Sequence, residues 1–174
     1  MIHSAKTPPV PVFSAEFETP VSDGSLRNFD GTKLITRVDF CFRPKINPNP
    51  GLSKQYNGIF VEAKIIPDGE LYAYMSQGLI KFLRGDCLWA MPHGMMIAYV
   101  RPTNQVLPDA LVAYFERFSN ADNYRLQVKP RTWPLDRHQP RPCATVHSRL
   151  WHYPPPHNHS SGVIEIIHLW LRVR

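Results

Sequence analysis

The segment Gly58-Ile59-Phe60-Val61-Glu62-Ala63-Lys64-Ile65-Ile66 constrains this chain more than any other. It is apolar and β-branched, has the length of a strand, and runs into Pro67-Asp68-Gly69, the pattern of a buried strand closed by a turn. Its two charges are Glu62 and Lys64. Side chains two apart on a strand share a face, so the carboxylate and the ammonium emerge side by side. Both are costly to take out of water, so either they satisfy each other or the fold holds them there for chemistry.

A second acid on a similar stretch upstream favours chemistry. From Lys33 to Phe42, Leu34, Ile35, Val38, Phe40 and Phe42 describe a strand, with Val38, Phe40 and Phe42 on one face and Asp39 on the other beside Arg37 and Cys41. The polar, proline-containing loop 43–57 can join these two strands as an antiparallel pair, which would set Asp39 beside Glu62.

The remaining elements come in order along the chain. Glu70 to Arg84 reads as a helix with an apolar stripe of Leu71, Met75, Leu79 and Phe82 and a polar one of Gln77, Lys81 and Arg84. Gly85 is its expected stop. Met95 to Val100 is nearly continuously apolar and suits a central strand covered on both faces. Val106 to Phe118 reads as a second helix with Pro108 in its first turn. Tyr124 to Lys129 alternates, with Tyr124, Leu126 and Val128 expected inward. Two strand-like runs, 144–153 and 163–173, close the chain as a terminal hairpin. The predicted class is mixed α/β: a mixed sheet flanked by two main helices, with a C-terminal β-hairpin. Residues 1–29 read as an irregular, Pro-rich arm preceding a single domain over 30–174.

The chain's 174 residues and 43% hydrophobic content support one sizeable core. Its net charge of +6 favours an anionic partner. The three cysteines, Cys41, Cys87 and Cys143, have no CxxC spacing, which argues against a disulfide framework or a cysteine-based zinc site. No signal-like start or membrane-length apolar run is evident, so a cytoplasmic protein without a membrane partner is expected.

Cutting a phosphodiester at neutral pH requires an activated water and a counter-charge for the phosphorus centre. Mg²⁺ supplies both and binds through one or two carboxylates, waters and the substrate's phosphate. A lysine alongside can orient the water or stabilise the growing charge. Asp39, Glu62 and Lys64 have the residue types and the strand placement for this.

With Arg37-Val38-Asp39-Phe40, Phe60-Val61-Glu62-Ala63-Lys64, the helix carrying Gln77 and Lys81, and the strand Met95 to Val100, the stretch 33–100 resembles the PD-(D/E)XK nuclease superfamily. The resemblance implies a restriction-endonuclease-like core holding Mg²⁺ or Mn²⁺, with Asp39, Glu62 and the Ala63 carbonyl as ligands. Lys64 would be the base or charge stabiliser, and Gln77 an assisting residue. It implies a nuclease acting on nucleic acid, DNA ahead of RNA, as a homodimer or beside a partner subunit. Two features depart from the family: Val38 stands where proline is common, and the helix that usually precedes the first catalytic strand has no counterpart in the Pro-rich arm, where Glu16 or Glu18 could substitute for its acid without any spacing that says so, a second subunit supplying the helix or a degenerate site being the alternatives. An inactive nucleic-acid-binding or assembly subunit is the alternative. The competing structural reading is a Glu62–Lys64 pair on the solvent face of an edge strand, for which Val61, Ala63 and Ile65 leave too few polar positions.

Other residues are weaker candidates. Lys81, Arg125, Lys129 and Arg131, with Arg137, Arg141 and an interleaved Trp133, make a nucleic-acid surface or, equally, a solvated basic face. His147 and Arg149 share a face of the penultimate strand and could reach a phosphate. His93 reads as a turn residue, and His147, His152, His157 and His159 lack a metal-binding spacing. Tyr72 and Tyr74 read as helix–sheet packing.

Overall fold

The computed structural model describes residues 17, 18, 20, 22, 28–32, 38–47, 56–67, 70–86, 91–101, 107–117, 120–132, 142–153 and 160–173. Six strands form one sheet: β1 (Phe40–Phe42), β2 (Ile59–Ile66), β3 (His93–Val100), β4 (Leu126–Thr132), β5 (Cys143–Ser148) and β6 (Val163–Arg172). Their spatial order is β1-β2-β3-β6-β5-β4. The middle three, β2, β3 and β6, run parallel, and antiparallel pairs finish each side. The mixed α/β class and the antiparallel β1–β2 and β5–β6 pairs agree with the sequence-based expectation.

Between β2 and β3 lies helix α1, a π-helical segment Tyr74–Leu79 that continues as α-helical Ile80–Leu83. The expected stripe is its buried side, with Leu71, Met75, Leu79 and Phe82 joined by Tyr74, Gly78 and Leu83. Helix α2 (Asp109–Phe115) buries Leu111 and Phe115, and a short α3 (Asn120–Asn123) leads towards β4. The core lies between α1, α2 and one face of the sheet. That face carries Phe60 and Ile66 of β2, Met96, Ala98 and Val100 of β3, Ile164, Ile166 and Trp170 of β6, and Cys143 of β5.

Several local expectations are corrected. β1 covers Phe40–Phe42 after a bend at Asp39, and residues 33–37 of the expected strand lie outside the described residues. The bend resets the alternation: Val38 and Cys41 are buried, while Phe40 is largely exposed. The pairing Cys41↔Phe60 turns Cys41 to the covered face. β3 is central as expected, but its Met95, Ile97 and Tyr99 are only half-buried, so one face is covered more fully than the other. β4 is an edge strand whose register shifts twice, and Val128 points outward although Tyr124 is buried. Tyr72 is exposed and does not pack on the sheet, whereas Tyr74 does.

Described parts of the N-terminal arm are tied to the domain. Phe17 forms a bridge with Pro44, and Phe29 stacks on Trp151 at 4.4 Å between ring centroids. Gly85 has φ +71, and an added Cβ there would lie 2.7 Å from both the Phe29 and Trp151 rings, so this helix stop needs glycine for backbone and packing alike.

Candidate active site

Glu62 sits in the middle of β2, the second strand of the sheet, and is 1% exposed. The edge-strand reading of the Glu62–Lys64 pair is therefore not what the fold adopts. Glu62 lies level with Met96 of β3, on the face beneath α1. Helix α1 reaches it through Gly78: an added Cβ would stand 3.7 Å from Glu62 Cγ and 2.4 Å from Met96 Cε. A glycine within a helix costs stability relative to alanine, and close approach is the usual reason for one.

Two ammonium groups meet the buried carboxylate. Lys64 donates to Glu62 Oε1, as the period-two spacing predicts. Lys81 donates to the same oxygen from α1 at 2.6 Å. Both lysine side chains keep roughly a quarter of their surface in solvent, 22% and 25%. Glu62 Oε2 is buried with no hydrogen-bond partner among the described residues. The π-helical segment lies immediately upstream of Lys81, and such a turn inserts a residue that rotates the rest of the helix. The polar stripe expected for a regular helix is thereby split: Gln77 and Arg84 are exposed, and Lys81 turns in towards Glu62.

Asp39 joins from the end of β1. Its Oδ2 accepts a hydrogen bond of 2.7 Å from the Ala63 N–H. The last paired residues are Phe40↔Val61, so continuing that register places Asp39 level with Glu62. Asp39 is thus anchored on Ala63, and Lys64 and Lys81 on Glu62, all within residues 62–64 of β2. Ala63 contributes its N–H, whereas the family resemblance assigns its carbonyl to a metal.

The remaining candidates lie elsewhere. His147 is fully buried and cannot reach a phosphate. Arg149 lies beyond the end of β5; its guanidinium donates to the Met91 carbonyl and stands 5.6 Å from the Trp151 ring centre. Arg125, Lys129 and Arg131 are exposed on and before β4, Arg131 pairing with Glu165 at 2.8 Å and Lys129 with Glu116 at 3.5 Å. His93 opens β3, its Nδ1 3.4 Å from Glu165 Oε2. Trp133, Arg137, Arg141, His157 and His159 fall outside the described residues.

His147 belongs instead to a buried polar chain that no local sequence pattern announces. Its Nδ1 lies 2.8 Å from the Tyr124 carbonyl, and its Nε2 lies 2.7 Å from Thr145 Oγ1. Thr145 Oγ1 is also 2.8 Å from His168 Nε2, and His168 Nδ1 is 2.8 Å from the Tyr74 hydroxyl. A carbonyl can only accept, which fixes every proton. Nδ1–H of His147 donates to Tyr124, Thr145 donates to His147, Nε2–H of His168 donates to Thr145, and Tyr74 donates to His168. Burial holds His147 down to about 4 and His168 down to about 3, the neighbouring His147 adding to the latter, so both rings are neutral at pH 7. The same burial pushes the Tyr74 hydroxyl well up, keeping it a donor.

Among the described residues, no group of three or more His, Cys, Asp or Glu side chains is placed to hold a metal ion, and no helix is long and apolar enough to cross a membrane. Comparison of the chain with protein-family models, curated proteins and solved structures finds no match.

Proposed function

We propose that this chain is a divalent-metal-dependent nuclease with a restriction-endonuclease-like core, hydrolysing phosphodiester bonds of DNA. The observation that carries the reading is the buried Glu62: amines on one carboxylate oxygen, the other oxygen unpartnered, and a second acid secured on the adjacent Ala63. A carboxylate retained at such desolvation cost, beside paired amines in mid-sheet, is better explained by chemistry than by stability.

The residues fit a hard dication. Glu62 Oε2 makes no hydrogen bond among the described residues, and Asp39 is engaged there through Oδ2. Mg²⁺ or Mn²⁺ needs no third acid, since waters and substrate phosphate complete its shell. Asp39 and Glu62 would hold it, and when bound it would polarise the phosphoryl group and acidify a water.

The chain's own groups supply the rest. Lys64, beside Glu62 and partly open to solvent, would donate to the phosphate oxygen that gains charge. The Ala63 N–H fixes the Asp39 carboxylate, limiting its reorganisation during reaction. In the overall step a water oxygen bonds to phosphorus, the P–O bond to one sugar breaks, and a proton from that water ends on the leaving oxygen. The products are a phosphomonoester and a free hydroxyl.

Incubation of the purified chain with plasmid and linear DNA in Mg²⁺ or Mn²⁺ tests the reading. Cutting that disappears in Asp39→Asn and Glu62→Gln supports it, and cutting that persists in either overturns the site. The second reading, a nucleic-acid-binding subunit that does not cut, draws support from the two amines already engaging Glu62. It predicts salt-sensitive DNA binding without cleavage under either metal.

A further inference from the structure

We infer that Lys81 contacts the phosphate of the substrate, so that Lys64 and Lys81 form a two-ammonium clamp whose resident anion is Glu62. The inference rests on the nuclease reading and adds a residue from the helix to its reaction.

The clamp is visible in how the donors are distributed. Neutralising one buried carboxylate takes one cation, and Lys64 already supplies it from two residues along β2. Were Lys81 there only to satisfy Glu62, its natural target would be Oε2, the buried oxygen with no donor. It goes instead to Oε1, which Lys64 already holds, and brings two like charges within two hydrogen-bond lengths of each other. Such a pair suits an anion with several oxygens on one centre. Each ammonium has three donors, and only one of each is engaged with Glu62. Each is also partly open to solvent, whereas Glu62 is not. A phosphodiester arriving at the rim can therefore take hydrogen bonds from both amines while Glu62 turns to a cation.

The geometry of α1 serves the same end. The π-helical segment and the contact at Gly78 bring the helix down onto β2 where Lys81 can meet Glu62. A π-turn in a helix is commonly found at functional sites.

The test compares the unmodified chain with K81M, which keeps the stem and removes the charge, and with K81R, which restores it. Three quantities are measured: kcat and KM for DNA cleavage in Mn²⁺, affinity for a labelled DNA duplex in a chelator over a range of salt, and the Mn²⁺-induced rise in Tm. K81M is expected to keep the Mn²⁺ response, to lose on the order of 100-fold in kcat, and to reduce the log–log salt slope of binding by about one. K81R is expected to recover most of both. A K81M chain with unchanged kcat and salt slope overturns the clamp, as does a loss that tracks lowered stability and is not restored by K81R. Should the unmodified chain cut nothing, the nuclease reading fails, and the salt slope still decides the phosphate contact: a reduction by about one upholds it, and no change overturns it.

Discussion

Asp39 and Ala63 are joined across the β1–β2 edge by a 2.7 Å hydrogen bond from main-chain N–H to carboxylate. A charge-assisted bond of this kind ties the acid to β2 one residue before β1 begins. Asp39→Asn can keep an oxygen acceptor for the Ala63 N–H while removing the charge. Its unfolding free energy should therefore stay within about 1–2 kcal/mol of the parent, while cleavage falls to background. A well-folded Asn variant that still cuts would remove Asp39 from the chemistry.

Metal linkage gives a separate check on Glu62. Mn²⁺ should raise the Tm of the parent chain, because a ligand bound only by the native state stabilises it. Glu62→Gln should abolish that rise while leaving an oxygen for the two lysines. An equal Mn²⁺ response in the Gln variant would place the cation elsewhere.

Gly78→Ala sets two effects against each other. Alanine favours the helix by about 1 kcal/mol. Its Cβ would meet Met96 Cε at 2.4 Å, but that atom is the tip of a flexible side chain, which can turn aside without moving the helix. The two effects should leave the stability in urea unfolding within about 1 kcal/mol of the parent, while cleavage falls because the displaced Met96 lies level with Glu62. Unchanged cleavage would mean that this contact does not bear on the site.

The buried histidines predict acid sensitivity. Both are held neutral, His147 down at about 4 and His168 at about 3, below the ordinary 6.5 expected of the unfolded chain. As pH falls the unfolded chain takes up protons first. This contribution is therefore complete above about pH 6.5 and declines towards pH 4 and 3, by about 1.4 kcal/mol per pH unit for each ring. Urea unfolding at a series of pH values from neutral to 5 should show that slope, and His147→Asn should flatten it by about half. A flat profile would mean that the rings are not buried neutral.

The two ends of the polar chain should differ from its middle. Tyr74→Phe leaves one imidazole nitrogen without a donor and should cost about 1–3 kcal/mol. Thr145→Val strands a nitrogen on each histidine and should cost more. Equal losses would argue that the hydroxyl of Thr145 does not bridge the rings.

Much of the scaffold is legible in the sequence because it rests on short-range pattern. The β-branched run around Glu62 becomes an inner strand, the apolar spacing of Leu71, Met75, Leu79 and Phe82 becomes the buried side of α1, and the Glu62–Lys64 pair comes from period two. The departures come from tertiary geometry. The bend at Asp39 inverts the faces of Phe40 and Cys41, and the π-turn takes Lys81 out of the polar stripe. Gly78, interrupting the helical sequence pattern of 70–84, is the available signal that α1 approaches the sheet closely. The burial of His147 escapes sequence reading because nothing local distinguishes an imidazole on a covered strand from one facing water; the Tyr124 carbonyl it binds lies 23 positions away, and His168 and Tyr74, further along the same polar chain, lie 21 and 73.

The proton order running from Tyr74 to the Tyr124 carbonyl also discriminates among ways of assembling the sheet. β5 and β6 meet with Thr145 opposite Ile166 and Cys143 opposite His168, which leaves the Thr145 hydroxyl beside the His168 ring. Sliding β5 by a single residue would turn Thr145 and His147 to the opposite side of the sheet and deprive both rings of their donors and acceptors. Apolar side chains alone would penalise such a mispairing only gradually. Four polar groups that can satisfy one another in a single arrangement make the penalty abrupt, so the seam acts as an alignment key for the C-terminal half of the molecule.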